Sequence, residues 1–147
     1  MKKLLSAICA ITMLFSSGVM TSAEEYDSII DDGPVIEEFS YTNSVFSGLY
    51  ISNKTATCSS SVEGYYGIAT KIEVTQTLQR LSGSSWTGTS YWTNTYYSWY
   101  CNFDNTKSSL FSGTYRVKTV AKVYSGSSYE TITAYSYECG CWLAMIF

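Results

Sequence analysis

Gly113–Tyr137 reads GTYRVKTVAKVYSGSSYETITAYSY, and its first half alternates strictly. Tyr115, Val117, Thr119, Ala121 and Val123 share one side of an extended chain. Arg116, Lys118 and Lys122 share the other, with Val120 among them. Side chains of a strand point alternately to opposite faces, so the pattern predicts a half-buried β-strand. Ser125-Gly126-Ser127-Ser128 supplies a turn, because glycine tolerates φ > 0 and serine bonds back to the chain. The return arm, Tyr129–Tyr137, is rich in Thr, Tyr and Ile, which suit a pleated surface. The stretch is one long β-hairpin.

The same device recurs upstream. Leu81-SGSS-Trp86 matches Tyr124-SGSS-Tyr129. Before it, Ile68–Leu81 places Ile68, Ile72, Val74 and Leu78 on one face and Lys71, Glu73, Thr75, Thr77 and Gln79 on the other; after it, Trp86–Thr95 returns. Two hairpins converging on one turn chemistry explain the match more simply than an internal repeat. Val45–Ile51 and Thr55–Glu63 read as two earlier strands, and Gly64-Tyr65-Tyr66-Gly67 as a turn. Asp104-Asn105-Thr106 is a turn signal, and Ser108–Phe111 reads as a short strand. No segment carries a helical period. The expectation is an all-β, antiparallel β-sandwich of immunoglobulin-like type with about seven strands. Leu110-x-x-Gly113-Thr114-Tyr115 supports it, because a tyrosine so placed can bond back to the preceding corner as in immunoglobulin-like and fibronectin-like sandwiches. The plainer alternative is that Tyr115 is an inward core residue.

The first 23 residues open Met1-Lys2-Lys3, run apolar to Met20 and end Thr21-Ser22-Ala23. They read as a signal peptide cleaved after Ala23. Ser6, Thr12, Ser16 and Ser17 interrupt the apolar run and argue against an uncleaved anchor. Localisation is then secreted or extracellular, with attachment to the cell surface open and no stable membrane anchor after cleavage. Residues 24–42 form an acidic flexible leader; its first part, Glu24–Glu38, holds seven acids and no Lys or Arg. The sandwich domain occupies residues 43–147. After cleavage seven basic residues face twelve acidic ones, a net charge of −5, and no basic patch suited to nucleic acid is evident.

Cys58, Cys101, Cys139 and Cys141 remain after cleavage, and an even number in an exported chain favours disulfides. Three pairings are possible. A bridge inside Cys139-Gly140-Cys141 would be strained, so the expected pattern joins Cys58 and Cys101 each to one of the C-terminal pair. Zinc is disfavoured, since the chain has no histidine. The uncharged tail Trp142–Phe147 is too short to span a bilayer. It is expected as a last strand of the sandwich, with a strand donated to a partner as the alternative.

Chemistry-bearing groups are sparse. Without histidine there is no Ser-His-Asp or Cys-His arrangement, and no phosphate-binding glycine loop is present. Glu73 and Glu130 sit on polar strand faces, where solvated surface is the ordinary role. The expectation is therefore no catalysis and no cofactor or metal. Trp86–Phe103, WTGTSYWTNTYYSWYCNF, holds eight aromatics in eighteen residues. Such rings stack on sugars and anchor protein interfaces. Alternation puts Trp86 and Trp92 on one face and Tyr91 on the other. It groups Tyr97, Trp99, Cys101 and Phe103 opposite Tyr96 and Tyr100. Trp86, Trp92 and Trp99 are assigned to the core. Tyr91, Tyr96, Tyr97 and Tyr100 are assigned to ligand binding.

The ATCSSSV strand, the TLQRLSGSSW hairpin with a second Trp six residues on, and SGTYRVK…VYSGSSYE together resemble a family of small secreted proteins from Gram-positive, clostridia-type bacteria, known as a domain of unknown function. The resemblance spans Val45–Tyr137 and implies export and a β-rich domain. The functional expectation is an extracellular binding or adhesion module that presents aromatic residues to a cell-wall glycan or an extracellular protein. The alternative is an exported bacteriocin-like or cell-surface structural factor acting through its apolar tail.

Overall fold

The computed structural model describes residues 39–142, all within the unit Ile36–Phe147. Eight strands follow in chain order: β1 (Thr42–Ser52), β2 (Thr55–Gly64), β3 (Lys71–Ser82), β4 (Ser85–Tyr96), β5 (Tyr100–Lys107), β6 (Gly113–Ser125), β7 (Ser128–Tyr135) and β8 (Cys139–Cys141). Two antiparallel sheets result. One has the order β1-β2-β5. The other has the order β4-β3-β6-β7, with β8 also on β6. The fold is a β-sandwich. In the seven-strand immunoglobulin constant arrangement the fourth strand lies in the sheet of the first two. Here it pairs with the third instead, so the sheets have three and five strands.

The turns explain the pairing. Asn53 and Lys54 both have positive φ between β1 and β2, as a two-residue type I′ turn requires. Gly83 and Gly126 share φ 62°, so the two SGSS turns have the same first central conformation, the one a type II′ turn demands. Pairs Ser82↔Ser85 and Ser125↔Ser128 close them.

Inward positions alternate as the sequence predicts along β6, where Tyr115, Val117, Thr119, Ala121 and Val123 are all buried. The apolar core forms two clusters. One gathers Cys58, Leu78, Leu110, Tyr115, Val117 and Cys141; the other gathers Val62, Ile72, Val74, Cys101, Ala121 and Val123. A buried polar belt runs between them at one level of β1, β2, β3, β5 and β6. Thr119 Oγ1 donates to Ser47 Oγ at 2.9 Å and lies 2.7 Å from Ser60 Oγ. Gln76 Nε2 donates to Ser60 Oγ at 2.7 Å and to the Phe103 carbonyl at 3.1 Å, and Gln76 Oε1 accepts from Asn105 Nδ2 at 3.0 Å. A one-residue slip of any of these strands would turn its own polar group outward and leave its partners buried and unpaired, so the belt pins the register of both sheets.

Tyr115 fills both roles that the sequence leaves open. It is buried, and its hydroxyl donates to the Phe111 carbonyl at 2.8 Å, four residues back, which closes the corner before β6.

Four expectations are corrected. Asp104-Asn105-Thr106 is not a turn; it pairs with Thr57–Ser59 inside β5, where Asn105 turns inward to Gln76. Ser108–Phe111 is a loop, not a strand, with Ser109 at positive φ. Ile68 lies outside the strand. Its amide and that of Ala69 both donate to the Tyr65 carbonyl in a turn, and the side chain is exposed. The fourth concerns the cysteines: Cys58, Cys101, Cys139 and Cys141 are all free thiols. Cys101 shares a cluster with Val123, whereas Cys139 and Cys141 pair with Tyr115 and Gly113. Eight residues of strand separate Tyr115 from Val123, roughly 27 Å, well beyond the ~7 Å Cα separation a disulfide tolerates.

The sandwich begins inside the expected leader. Glu130 Oε2 and Oε1 accept from the amides of Ser40 and Tyr41 at 3.0 and 2.7 Å, and Tyr41 packs on the second cluster. Of the tail, Trp142 is exposed, and Leu143–Phe147, with the signal-peptide stretch and most of the leader, lie outside the described residues.

Candidate functional site

The four tyrosines assigned to binding do not form one site. Tyr91 stands on the outer face of β4 and is 66% exposed. Tyr96 turns inward opposite Ile72, packs on the second cluster and donates its hydroxyl to the Asn102 carbonyl at 3.1 Å. Tyr97 is exposed in the connection between β4 and β5, and Tyr100 lies on the outer face of the smaller sheet, its hydroxyl accepting from Asn102 Nδ2. The expected grouping fails because residues 97–99 are not strand, so alternation does not carry through them. Trp99 packs on the second cluster, with Tyr66 edge-on at 5.6 Å and Tyr100 tilted at 5.9 Å.

A β-bulge moves a second residue. The pairing shifts between Leu78↔Ser90 and Gln79↔Gly88, leaving Thr89 as the extra residue of β4, its hydroxyl on the Leu78 carbonyl at 3.0 Å. One extra residue inverts the alternation of everything beyond it. Trp92 therefore packs on the first cluster as expected, but Trp86 comes out on the outer face opposite Leu81. Gly88 is outward too, and leaves room for Tyr91, whose hydroxyl occupies the space a Cβ would take.

Trp86 is thereby added to a row of side chains on the outer face of the five-stranded sheet. The Arg116 guanidinium lies between two rings, 4.2 Å from the centroid of Trp86 and 4.3 Å from that of Tyr135, and Arg116 Nε donates to Gln79 Oε1 at 2.8 Å. At the other end of the same face Lys71 Nζ is 3.7 Å above the Tyr124 ring, Tyr124 is tilted against Tyr129 at 5.0 Å, and Lys122 Nζ lies 5.1 Å from Tyr129. Each cation sits on the negative face of an aromatic ring. Glu73 is held by Lys71 Nζ and by the Tyr124 hydroxyl, both at 2.8 Å. The Lys71 hydrogen bond, then that of Tyr124, keeps the Glu73 carboxyl below the usual carboxylate range; the same contact raises Lys71, and hydrogen bonding to Glu73 raises Tyr124. Beside them lies a shallow hollow of about 430 Å³, walled by Glu73, Thr75, Thr93, Asn94 and Thr95.

The face therefore carries Lys71, Arg116, Lys118 and Lys122 against Glu73 alone. Lys118 and Lys122 make no ion pair among the described residues, where Lys71–Glu73 is the one salt bridge. A second hollow, about 670 Å³, opens between the edges of β1 and β7 beside Phe46, Tyr135 and Tyr137; nothing in the structure shows what covers it.

The fold and this face together define an all-β sandwich with one cationic, aromatic outer surface. No family model matches the chain, and no curated protein or solved structure matches it.

Proposed function

We propose that the protein is an exported, non-catalytic binding module that takes an acidic glycan on the outer face of its five-stranded sheet. The observation that carries this reading is the concentration of four cations and five aromatic rings (Trp86, Tyr91, Tyr124, Tyr129, Tyr135) on one open sheet face that also bears a hydroxyl-lined hollow. Exposed rings offer a surface to the C–H faces of sugars. Glu73, held ionised, and the threonines beside it offer acceptors and donors to sugar hydroxyls. Lys118 and Lys122 supply charge for carboxylate or phosphate groups along the polymer, and a chain lying across several strands meets many weak contacts at once. No residue of the face is paired with a second acid or a base in the way that glycoside cleavage needs, which supports retention rather than turnover. Export rests on the signal-peptide reading.

Retention on an immobilised uronic-acid polysaccharide, against a neutral glucan of equal length, tests the reading. Retention that falls with added salt is expected for the acidic polymer. Equal retention on both, or none on either, overturns the reading.

A further inference from the structure

A different feature lies at the end of the sandwich where β3, β5 and β6 meet. Arg80 follows Leu78 on the inward face of β3, opposite Tyr115, a position that pattern reserves for apolar side chains. Its guanidinium has room because residue 113 is glycine; a Cβ there would lie 2.7 Å from Arg80 Nε. Nη2 donates to the Ser112 carbonyl at 2.6 Å. Nε is out of contact with solvent and has no hydrogen-bond partner among the described residues. Lys107, paired with Ala56 at the end of β5, is on the same inward side. Both cations line a cavity of about 300 Å³ whose remaining walls include Thr89, Leu110, Phe111 and Tyr115. No acid lines it.

A buried guanidinium donor without an acceptor destabilises a fold unless something compensates it. Here a second cation shares the cavity, no carboxylate among the described residues answers either, and Leu110, Phe111 and Tyr115 give the rest of the lining an apolar part beside Thr89, Ser108 and Ser109. A loop has been shaped around the space: Leu110 is buried, its amide donates to the Lys54 carbonyl at 3.0 Å, and Tyr115 is fixed on Phe111. Two donor-bearing cations and an apolar wall complement an anionic head joined to an apolar body. The volume is at the lower limit of small-ligand pockets, roughly 300 Å³, which excludes a polymer.

We infer that this cavity is a binding site for a small carboxylate carrying an apolar group, with Arg80 as the principal anchor of the carboxylate and Lys107 as the second cation. The site is separate from the outer face, since it lies at the end of the sandwich beside the 108–111 loop, and it does not depend on the glycan reading.

The test uses the full chain, isotopically labelled, with benzoate as probe, benzamide as its neutral isostere and inorganic phosphate as an anion without an apolar body. Benzoate is expected to shift the Arg80 Nε and Leu110 methyl resonances in a saturable way, and benzamide and phosphate to bind at least about tenfold more weakly. Lys107→Gln, at the end of an edge strand, is expected to weaken benzoate by about threefold to tenfold, with an unchanged amide spectrum elsewhere. Arg80→Gln is expected to abolish saturable binding where its spectrum shows a folded chain. Should Arg80→Gln not fold, Lys107→Gln and the probe series decide. Benzoate and benzamide binding alike, phosphate binding as well as benzoate, no saturable shift, or an unchanged affinity in Lys107→Gln would each overturn the assignment.

Discussion

The two outer faces of this sandwich are built from the same kind of strand and carry opposite chemistry. On the five-stranded sheet, cations alternate with aromatic rings, and one carboxylate is enclosed by Lys71 and Tyr124. On the three-stranded sheet the outward positions of β2 and β5 are Thr57, Ser59, Ser61, Glu63, Tyr100, Asn102, Asp104 and Thr106, with two acids and no base. On β1, Phe46 lies over Gly48. The inner faces do not differ in this way: both are apolar with a polar centre. Packing thus explains the inner faces and leaves the asymmetry outside unexplained. Lys and Arg are favoured on a sheet face chiefly by solvation, which both faces enjoy equally. The charge pattern confined to one of them is the feature on which the proposed glycan-binding face rests.

Reversing the contrast should have the largest effect. Lys118→Glu with Lys122→Glu is expected to weaken acidic-glycan retention by at least about tenfold, roughly 1.4 kcal/mol, while Glu63→Lys with Asp104→Lys leaves it unchanged. A loss in the first double mirrored by a comparable gain in the second would show that net charge, not the face, does the binding. Loosening what joins the sheets should act on both faces together. Gln76→Leu strips the belt of its amide, leaves Asn105 Nδ2 and the Phe103 carbonyl without that partner, and is expected to lower stability by about 2 kcal/mol in urea unfolding. A neutral result there would mean that the belt contributes nothing net. Smaller again is the stacked cation: Arg116→Ala should remove about 1 kcal/mol of stability through its two rings, against a change within about 0.5 kcal/mol for the exposed Thr106→Ala on the other side.

Titration sharpens the comparison with the least effect. The folded pKa of Glu73 is depressed, so its contribution to stability is present above the unfolded carboxylate range and is lost as pH falls through the folded value. Glu73→Gln should flatten the acid limb of the stability profile below about pH 4.3. If the limb is unchanged, the Lys71–Glu73 contact is a solvated pair without thermodynamic weight. The thiols behave in the opposite sense. Burial pushes Cys58 up to about 12 and Cys101 up to about 11. Both stay protonated in the native chain, and their share of stability is lost as pH rises from the free-thiol value, about 8.5, through those figures. A disulfide-exchange reagent at pH 8 should label the half-exposed Cys139 of the reduced protein first and the buried thiols only at the rate of unfolding.

Much of this was legible in the residues. The inward set of β6, the paired SGSS turns and the corner closed by Tyr115 depend on neighbours within a few positions, and alternation reports them directly. The candidate site was legible only in part. Tyr91 is outward as expected, but Trp86, which alternation assigns to the core, is outward too. Its orientation depends on Thr89 being passed over by a partner strand, and nothing in WTGTSYW marks that. Arg80 carried an available signal, a charge at an inward position of β3, which gains meaning once Gly113 and Lys107 are known to face it.

Alternation, turn chemistry and the sorting of apolar from polar side chains are local properties, and the chain specifies them residue by residue. Where β4 pairs, which way its far end faces, whether Asp104-Asn105-Thr106 bends or extends, and which cations share a surface all depend on residues distant along the chain. Those choices belong to the assembled sandwich, because a strand acquires its register and its bulges from the backbone it is hydrogen-bonded to.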